Sequence, residues 1–382
     1  MVNLKKRLIF AFFLISLMLI SGCNLQGKKD TKKSLEDIRT GTEGVVASFL
    51  ANAPPEKVYV EQDSDSNFDV VLEIKNKGAY PQPGDVTSLG PEGKVYLSGY
   101  DPKIITFEAK ESKSNDLSKM TLEGKSTINP NGGQDLITFT GTIPFRSLNV
   151  EKYEPTLLAT LCYYYETSAG PSVCIDPNPY STIKEKKVCE VQDISLTNQG
   201  APVAVTKIDE EALARKTQFK ITIKNVGGGD VLIKDALKNK CDPNPTGDSK
   251  KIVREDVDKV YLKGVKISNR PLKCRPFADG KTEGTEGLIR LINGEGFIIC
   301  ELPDTDYNNK ISAYTTPLLI ELGYGYRNTA EKKMQIKRES SGLVGRGSGA
   351  PPPDATPSMP LSGPISDESE DPISGEHGPF GG

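Results

Sequence analysis

Two short segments alternate oxygen-bearing side chains in a pattern that suits a hard cation. They are Asp63, Asp65 and Asn67, and Asp304, Asp306 and Asn308. Such side chains in a loop can converge on calcium, which takes oxygen ligands. An EF-hand would need Gly at the sixth position and Glu at the twelfth, where this chain has Phe68 and Ile74 in the first segment and Asn309 and Thr315 in the second. The segments therefore read as solvated acidic turns between strands, with calcium as the alternative. No other cofactor is expected.

Nucleophilic chemistry has little to work with. The sole histidine, His377, lies near the end of the chain, so a Ser-His-Asp or Cys-His arrangement has no imidazole within the region that reads as folded. Ser181 and Lys184 stand at a Ser-Lys spacing in a Pro-rich stretch without companion motifs. Gly124-Lys125-Ser126 and Gly280-Lys281-Thr282 echo the end of a P-loop, but the Gly needed five residues earlier is replaced by Lys119 and Arg275. Both read as surface turns. Paired carboxylates for glycoside hydrolysis leave no fixed trace in sequence. The expectation is a protein that is not an enzyme.

The cysteines carry more information. Besides Cys23 there are six, Cys162, Cys174, Cys189, Cys241, Cys274 and Cys300, an even number in a chain that reads as exported, and disulfides are the natural use. Cys162 and Cys174 flank the turn-like segment Thr167 to Gly170, which predicts a bridge across a hairpin. For the other four, pairing Cys241 with Cys274 and Cys189 with Cys300 would tie down a long loop. A zinc site lacks both C-x-x-C and a nearby His.

These residues sit on a chain that repeats itself. LEIKNKG near residue 72, KVYLSG at 94 and LLATLCYYY at 157 return in order as ITIKNVG near 221, KVYLKG at 259 and LLIELGYGY at 318. In each copy apolar and polar residues alternate with the period of a half-buried strand: Phe68, Val70, Leu72 and Ile74, then Phe219, Ile221 and Ile223. Asn76 with Gly78, and Asn225 with Gly227, close the two strands with turn chemistry. Further strands are predicted at 94–97, 136–143 and 157–165, and at 259–262, 288–301 and 318–326; only 210–216 looks helical. Tyr163, Tyr164 and Tyr165, echoed by Tyr324 and Tyr326, read as a packed sandwich edge, with an exposed aromatic contact surface as the alternative. The fold class expected is all-β, two tandem Ig-like antiparallel β-sandwiches.

The order of these motifs resembles the CARDB-type Ig-like adhesion modules of prokaryotic surface proteins, over about residues 54 to 175 and 202 to 330. The resemblance implies a non-catalytic surface role. The chain departs from the pattern in its cysteines and in a long loop at 234–258.

Both ends of the chain bear on location. Lys5, Lys6 and Arg7 precede an apolar run from Leu8 to Ile20, and Ser21, Gly22 and Cys23 follow. This reads as a signal peptide, and Ile20 to Cys23 resembles the lipobox of prokaryotic lipoproteins, which implies that Cys23 carries the lipid. The expected division is therefore a signal peptide at 1–23, a charged flexible tether at 24–39, sandwiches at 40–188 and 189–337, and a disordered Gly/Pro/Ser-rich tail at 338–382. The net charge of −3 is small, and the acidic tail accounts for it, so nucleic acid is not an expected partner. The function expected is that of a lipid-anchored protein on the outer face of the cytoplasmic membrane or cell envelope. It would meet the membrane through its N-terminal lipid and engage envelope or surface proteins in adhesion or scaffolding. The alternative is a ligand- or ion-binding lipoprotein serving a transport or envelope complex.

Overall fold

A computed structural model describes residues 38–61, 63–82, 92–107, 114–117, 120–181, 187–245, 247–307 and 312–339. The expected signal peptide, lipobox and Cys23, most of the tether, and all but the first two residues of the expected tail lie outside these. Among the described residues strands make up 52% and helices 6%, so the fold is all-β.

The first copy supplies β1 (Val45–Phe49), β2 (Lys57–Val60), β3 (Ser66–Asn76), β4 (Gly93–Ser98), β5 (Thr106–Phe107), β6 (Ser114–Asp116), β7 (Gln134–Ile143), β8 (Lys152–Tyr153), β9 (Thr156–Ala169) and β10 (Ser172–Ile175). The second begins with β11 (Ile194–Ser195), β12 (Val203–Leu213), β13 (Lys216–Asn225) and β14 (Asp230–Leu232), followed by a short helix α1 (Lys234–Asn239). It continues with β15 (Lys259–Ile267), β16 (Arg270–Pro271), β17 (Lys273–Arg275), β18 (Gly287–Arg290), β19 (Glu295–Pro303), β20 (Tyr314–Lys333) and β21 (Gln335–Arg338).

The repeat is visible in the topology. One outer sheet runs β1-β3-β7-β5, and the other contains the same order as β12-β13-β19-β17, extended by β11. The inner layer is a single sheet with the path β16-β15-β20-β9-β4-β6, in which each copy contributes three strands in mirrored order. Each copy is thus two-layered, and apolar residues of all these sheets, from Leu72 and Leu161 to Ile221 and Leu322, belong to one core cluster. The strand alternation is the cause: in β3, Phe68, Val70, Leu72 and Ile74 are buried while Asn67 and Asp69 are exposed. The KVYL segments are extended in both copies, as expected.

What the repeat does not disclose is the joint. β9 and β20, the equivalent strands of the two copies, pair antiparallel over their whole common length, from Thr156 opposite Lys333 to Ala169 opposite Ile320. The expected boundary between 188 and 189 therefore divides the sequence but not the hydrogen bonding, because the two inner layers meet at their edges and leave no free edge there. The second copy also reaches back at its end, where β21 lies between β2 and β8 of the first.

Three local expectations change for a stated reason. The hairpin predicted near Thr167 to Gly170 is absent: β10 pairs Ser172 with Pro317 on the same edge of β20 and in the same register as β9, so the chain runs straight on. The helix predicted at 210–216 is instead a tight hairpin, Leu213 pairing with Lys216, because Ile208 and Phe219 bury in the core. The strand predicted at 288–301 breaks at Asn293 and Gly294, both with positive φ, where the chain passes from the inner sheet to the outer one.

The disulfides follow from that geometry. They are Cys162 with Cys241, Cys174 with Cys189, and Cys274 with Cys300, so all three expected pairings are corrected. Cys162 and Cys174 lie on one straight run and, at about 3.3 Å per residue, are some 40 Å apart. Cys274 and Cys300 are direct cross-strand partners on β17 and β19, which removes both from the other pairings. Cys162 faces the back of the inner sheet, where Tyr96, Leu232, Ala236 and Cys241 form a second small cluster. The long loop of the second copy, with α1, is thereby fastened onto a strand of the first.

Candidate functional site

The joint between the copies is where chemistry-bearing residues gather. Side chains two apart on a strand share a face, so Tyr163 and Tyr165 point to the core side of the inner sheet, and Tyr324 and Tyr326 join them from β20. The ladder sets Tyr163 opposite Tyr326 and Tyr165 opposite Tyr324, whereas the repeat makes Tyr163 equivalent to Tyr324. Together these relations define a local two-fold axis through the Tyr164–Gly325 pair, the arrangement of an isologous dimer within one chain. The four rings lie 5.6 to 6.5 Å from their neighbours. They are packed, not an exposed contact surface. Tyr164 points to the other face, with Lys234 4.3 Å from its ring centre and its hydroxyl on Glu166 at 2.8 Å.

The repeated Asn and Gly serve these tyrosines. Tyr165 donates its hydroxyl hydrogen to Asn76 Oδ1 at 3.1 Å and accepts from the Tyr80 backbone N–H at 3.1 Å, while Asn76 Nδ2 donates to the Tyr80 carbonyl at 2.7 Å. In the second copy Tyr326, Asn225 and Gly229 repeat the set at 3.2, 2.7 and 2.8 Å. A Cβ on Gly78 would stand 2.1 Å from the Tyr165 hydroxyl, and one on Gly227 would stand 2.3 Å from that of Tyr326. The two glycines are needed for close approach, a different reason from the turn conformation read in the sequence.

The remaining pair of hydroxyls differs between copies. Tyr324 has Thr167 Oγ1 at 2.9 Å and the Val203 N–H at 3.2 Å. Tyr163 is equally buried, yet its hydroxyl has no hydrogen-bond partner among the described residues; the Val45 backbone faces it without completing a bond. Burial pushes both phenols well above their ordinary range, so both stay protonated. Tyr163→Phe is therefore expected to leave stability unchanged or slightly raised, while Tyr324→Phe loses about 1 to 2 kcal/mol, since it leaves the Val203 N–H buried and unpaired. Thermal melts of the two variants check this.

Two clefts related by the local axis flank the joint. The first, about 560 Å³, lies between β1 of the first copy and the loop Gly227 to Gly229 of the second, and Tyr163 and Asn328 border it. The second, about 490 Å³, lies between the Ala79 to Gln82 segment of the first copy and Gln199 of the second, with Thr167 at its wall. Asn328 and Thr167 occupy equivalent positions, and each crosses to the other copy: Asn328 Nδ2 donates to the Val45 carbonyl at 2.9 Å and Thr167 Oγ1 to the Val203 carbonyl at 2.6 Å. The clefts differ where Tyr80 borders the second and its counterpart Gly229 leaves the first without a side chain.

The acidic triplets are not brought together. Asp65 Oδ1 accepts from the Phe145 N–H at 3.0 Å and Asn67 Oδ1 from the Thr142 hydroxyl at 2.8 Å, so these oxygens fasten β3 to β7 and the chain that follows it. Asp306 pairs with Arg270 at 2.7 Å and Asp304 opens a short 3-10 turn, while Asn308 lies outside the described residues. Among the described residues no group of three or more His, Cys, Asp or Glu side chains is placed to hold a metal. Lys184 also lies outside them, so the Ser181–Lys184 spacing has no geometry. Lys125, read in sequence as part of a surface turn, stands beside Lys75 and Lys77 around Glu43. Nothing in sequence connects positions fifty residues apart.

No family model matches the chain, and no curated protein matches it. Among solved structures, the CupB6 tip adhesin from Pseudomonas aeruginosa is similar at 8% identity and a TM-score of 0.14, over 78% of this chain and 98% of that one.

Proposed function

We propose that this chain is a non-enzymatic surface lipoprotein, held by a lipid on Cys23 at the outer face of the cytoplasmic membrane or cell envelope, where its double sandwich engages envelope or surface proteins in an adhesion or scaffolding role. The observation that carries the reading is the bracing: three disulfides, one of them joining β9 of the first copy to the loop after α1 of the second, reinforce a fold whose two copies share an inner sheet. Disulfides form and persist in oxidising compartments, which supports export, and a locked pair of sandwiches suits a part that presents surfaces. The resemblance to CARDB-type modules supports the same class of role.

Cell fractionation tests it. The wild-type chain is expected in the membrane fraction, cleaved by protease added to intact cells, and Cys23→Ser is expected to leave that fraction. Chemical cross-linking on intact cells should carry the anchored form into complexes with envelope proteins. Recovery from the cytosol with free thiols would overturn the export reading, and a chain that stays monomeric on cross-linking would overturn the scaffold role. The two clefts favour a second reading, a ligand-binding lipoprotein serving an envelope or transport complex.

A further inference from the structure

The first cleft runs into a smaller depression of about 270 Å³, and the two share Thr42, Glu43, Lys75 and Lys77. Three lysines meet there. Lys75 and Lys77 continue the outward-facing register of β3, in which Leu72, Ile74 and Asn76 point to the core. Lys125 is brought in from a distant turn, its backbone N–H bonded to the Gly78 carbonyl at 2.7 Å. Among the described residues Glu43 is the only carboxylate lining this depression, and it pairs with Lys77 at 3.2 Å. Glu73, in the larger cleft, is held by the Ser48 hydroxyl at 3.4 Å.

In the two-fold mate each carboxylate holds its own lysine: Lys263 lies 2.6 Å from Glu166 and Lys266 3.3 Å from Glu321, while Arg39 donates to the neutral Gln82 amide at 2.8 Å. At the first cleft Lys75, Lys77 and Lys125 converge on the depression against Glu43, with Glu73 farther along β3, so three ammonium groups face two carboxylates. The site also offers uncharged hydrogen-bonding groups on Thr42, Ser48 and Asn328, beside Tyr163, whose hydroxyl has no partner among the described residues, and a glycine wall that leaves room.

We propose that this cleft binds a small hydroxylated anion of the sugar-acid class, its carboxylate held by Lys75, Lys77 and Lys125 and its hydroxyl-bearing body lying along β1 toward Asn328 and the glycine loop. A carboxylate would complete a set of charge-assisted bonds that Glu43 and Glu73 leave unfinished. The crowding is felt most at Lys125, where burial lowers the ammonium pKa, Glu43 opposes that, and Lys77 and Lys75 lower it further; a bound anion relieves it. This deepens the ligand-binding reading, and lipid anchoring at Cys23 stands whether or not it holds.

Calorimetric titration of the full chain in detergent micelles with glucuronate, with glucose and inorganic phosphate as comparison probes, tests it. Glucuronate is expected to bind, more weakly as salt rises, and more tightly than either comparison. Lys75→Met and Lys125→Met should each weaken it about tenfold, the scale of one charged hydrogen bond. Lys263→Met in the mate cleft should not. Gly228→Leu fills the cleft without strain, since a Cβ there meets nothing within 4 Å, and it should abolish binding while the melting temperature holds. No heat with glucuronate, unchanged binding in Lys75→Met and Lys125→Met, or phosphate binding as tightly as glucuronate would overturn the proposal.

Discussion

Replacing Cys162 and Cys241 together by alanine is expected to destabilise the chain by about 4.5 kcal/mol, against ~3.5 kcal/mol for Cys274 with Cys300 and ~3 kcal/mol for Cys174 with Cys189. The order follows from the loops that the bridges close, with sequence separations of 79, 26 and 15. A longer closed loop removes more freedom from the unfolded chain. The first bridge also has a position the others lack. It passes from β9 in the first copy to the loop after α1 in the second, in a small cluster with Tyr96, Leu232 and Ala236, so its loss opens a void on the back of the inner sheet and adds a packing penalty. Urea unfolding of the three double variants without reductant measures the ranking. Equal losses for all three pairs, or the largest loss at Cys174 and Cys189, would show that neither the loop length nor the bridge between copies controls stability.

That bridge also marks where sequence reasoning stopped. The strands were legible because alternation and the repeat are local: Phe68 to Ile74 and Phe219 to Ile223 have their period within a few residues. The joint was not, since pairing of β9 with β20 is a relation between residues such as Tyr165 and Tyr324, far apart in the chain. Thr167 to Gly170 look like a turn by composition, yet the β20 edge holds the chain straight through them, and the wrong hairpin led to the wrong disulfide. The candidate site divides the same way. Asn76, Asn225 and the tyrosines stood out in the sequence, but their mutual hydrogen bonds did not, and Lys125 meets Lys75 and Lys77 only in the folded state. An all-β fold was readable because it rests on periodicity, while the clefts rest on contacts between copies.

Stability is expected to fall as pH rises from about 4.5 to about 7, and Glu210 is the reason. This side chain of β12 is buried against β10 of the first copy, where Oε2 accepts the Cys174 backbone N–H at 3.2 Å and Oε1 has no partner among the described residues. Burial raises its pKa from about 4.5 to about 7, and the Cys174 N–H offsets only part of this. The folded state then holds a proton through a range in which the unfolded chain has released it, so unfolding releases protons and the slope of stability against pH is negative there. The contribution is fully present below pH 4.5 and is lost as pH passes through 7. It amounts to at most about 3 kcal/mol, from 1.36 kcal/mol per pH unit. Glu210→Gln keeps an oxygen for the Cys174 N–H and never ionises, so the variant should lack this slope and exceed the wild type in stability at pH 8. Urea midpoints of both proteins at pH 4.5, 6 and 8 decide it: parallel profiles would mean that Glu210 ionises in the folded chain as it does in water, and that the contact between β10 and β12 is open to solvent.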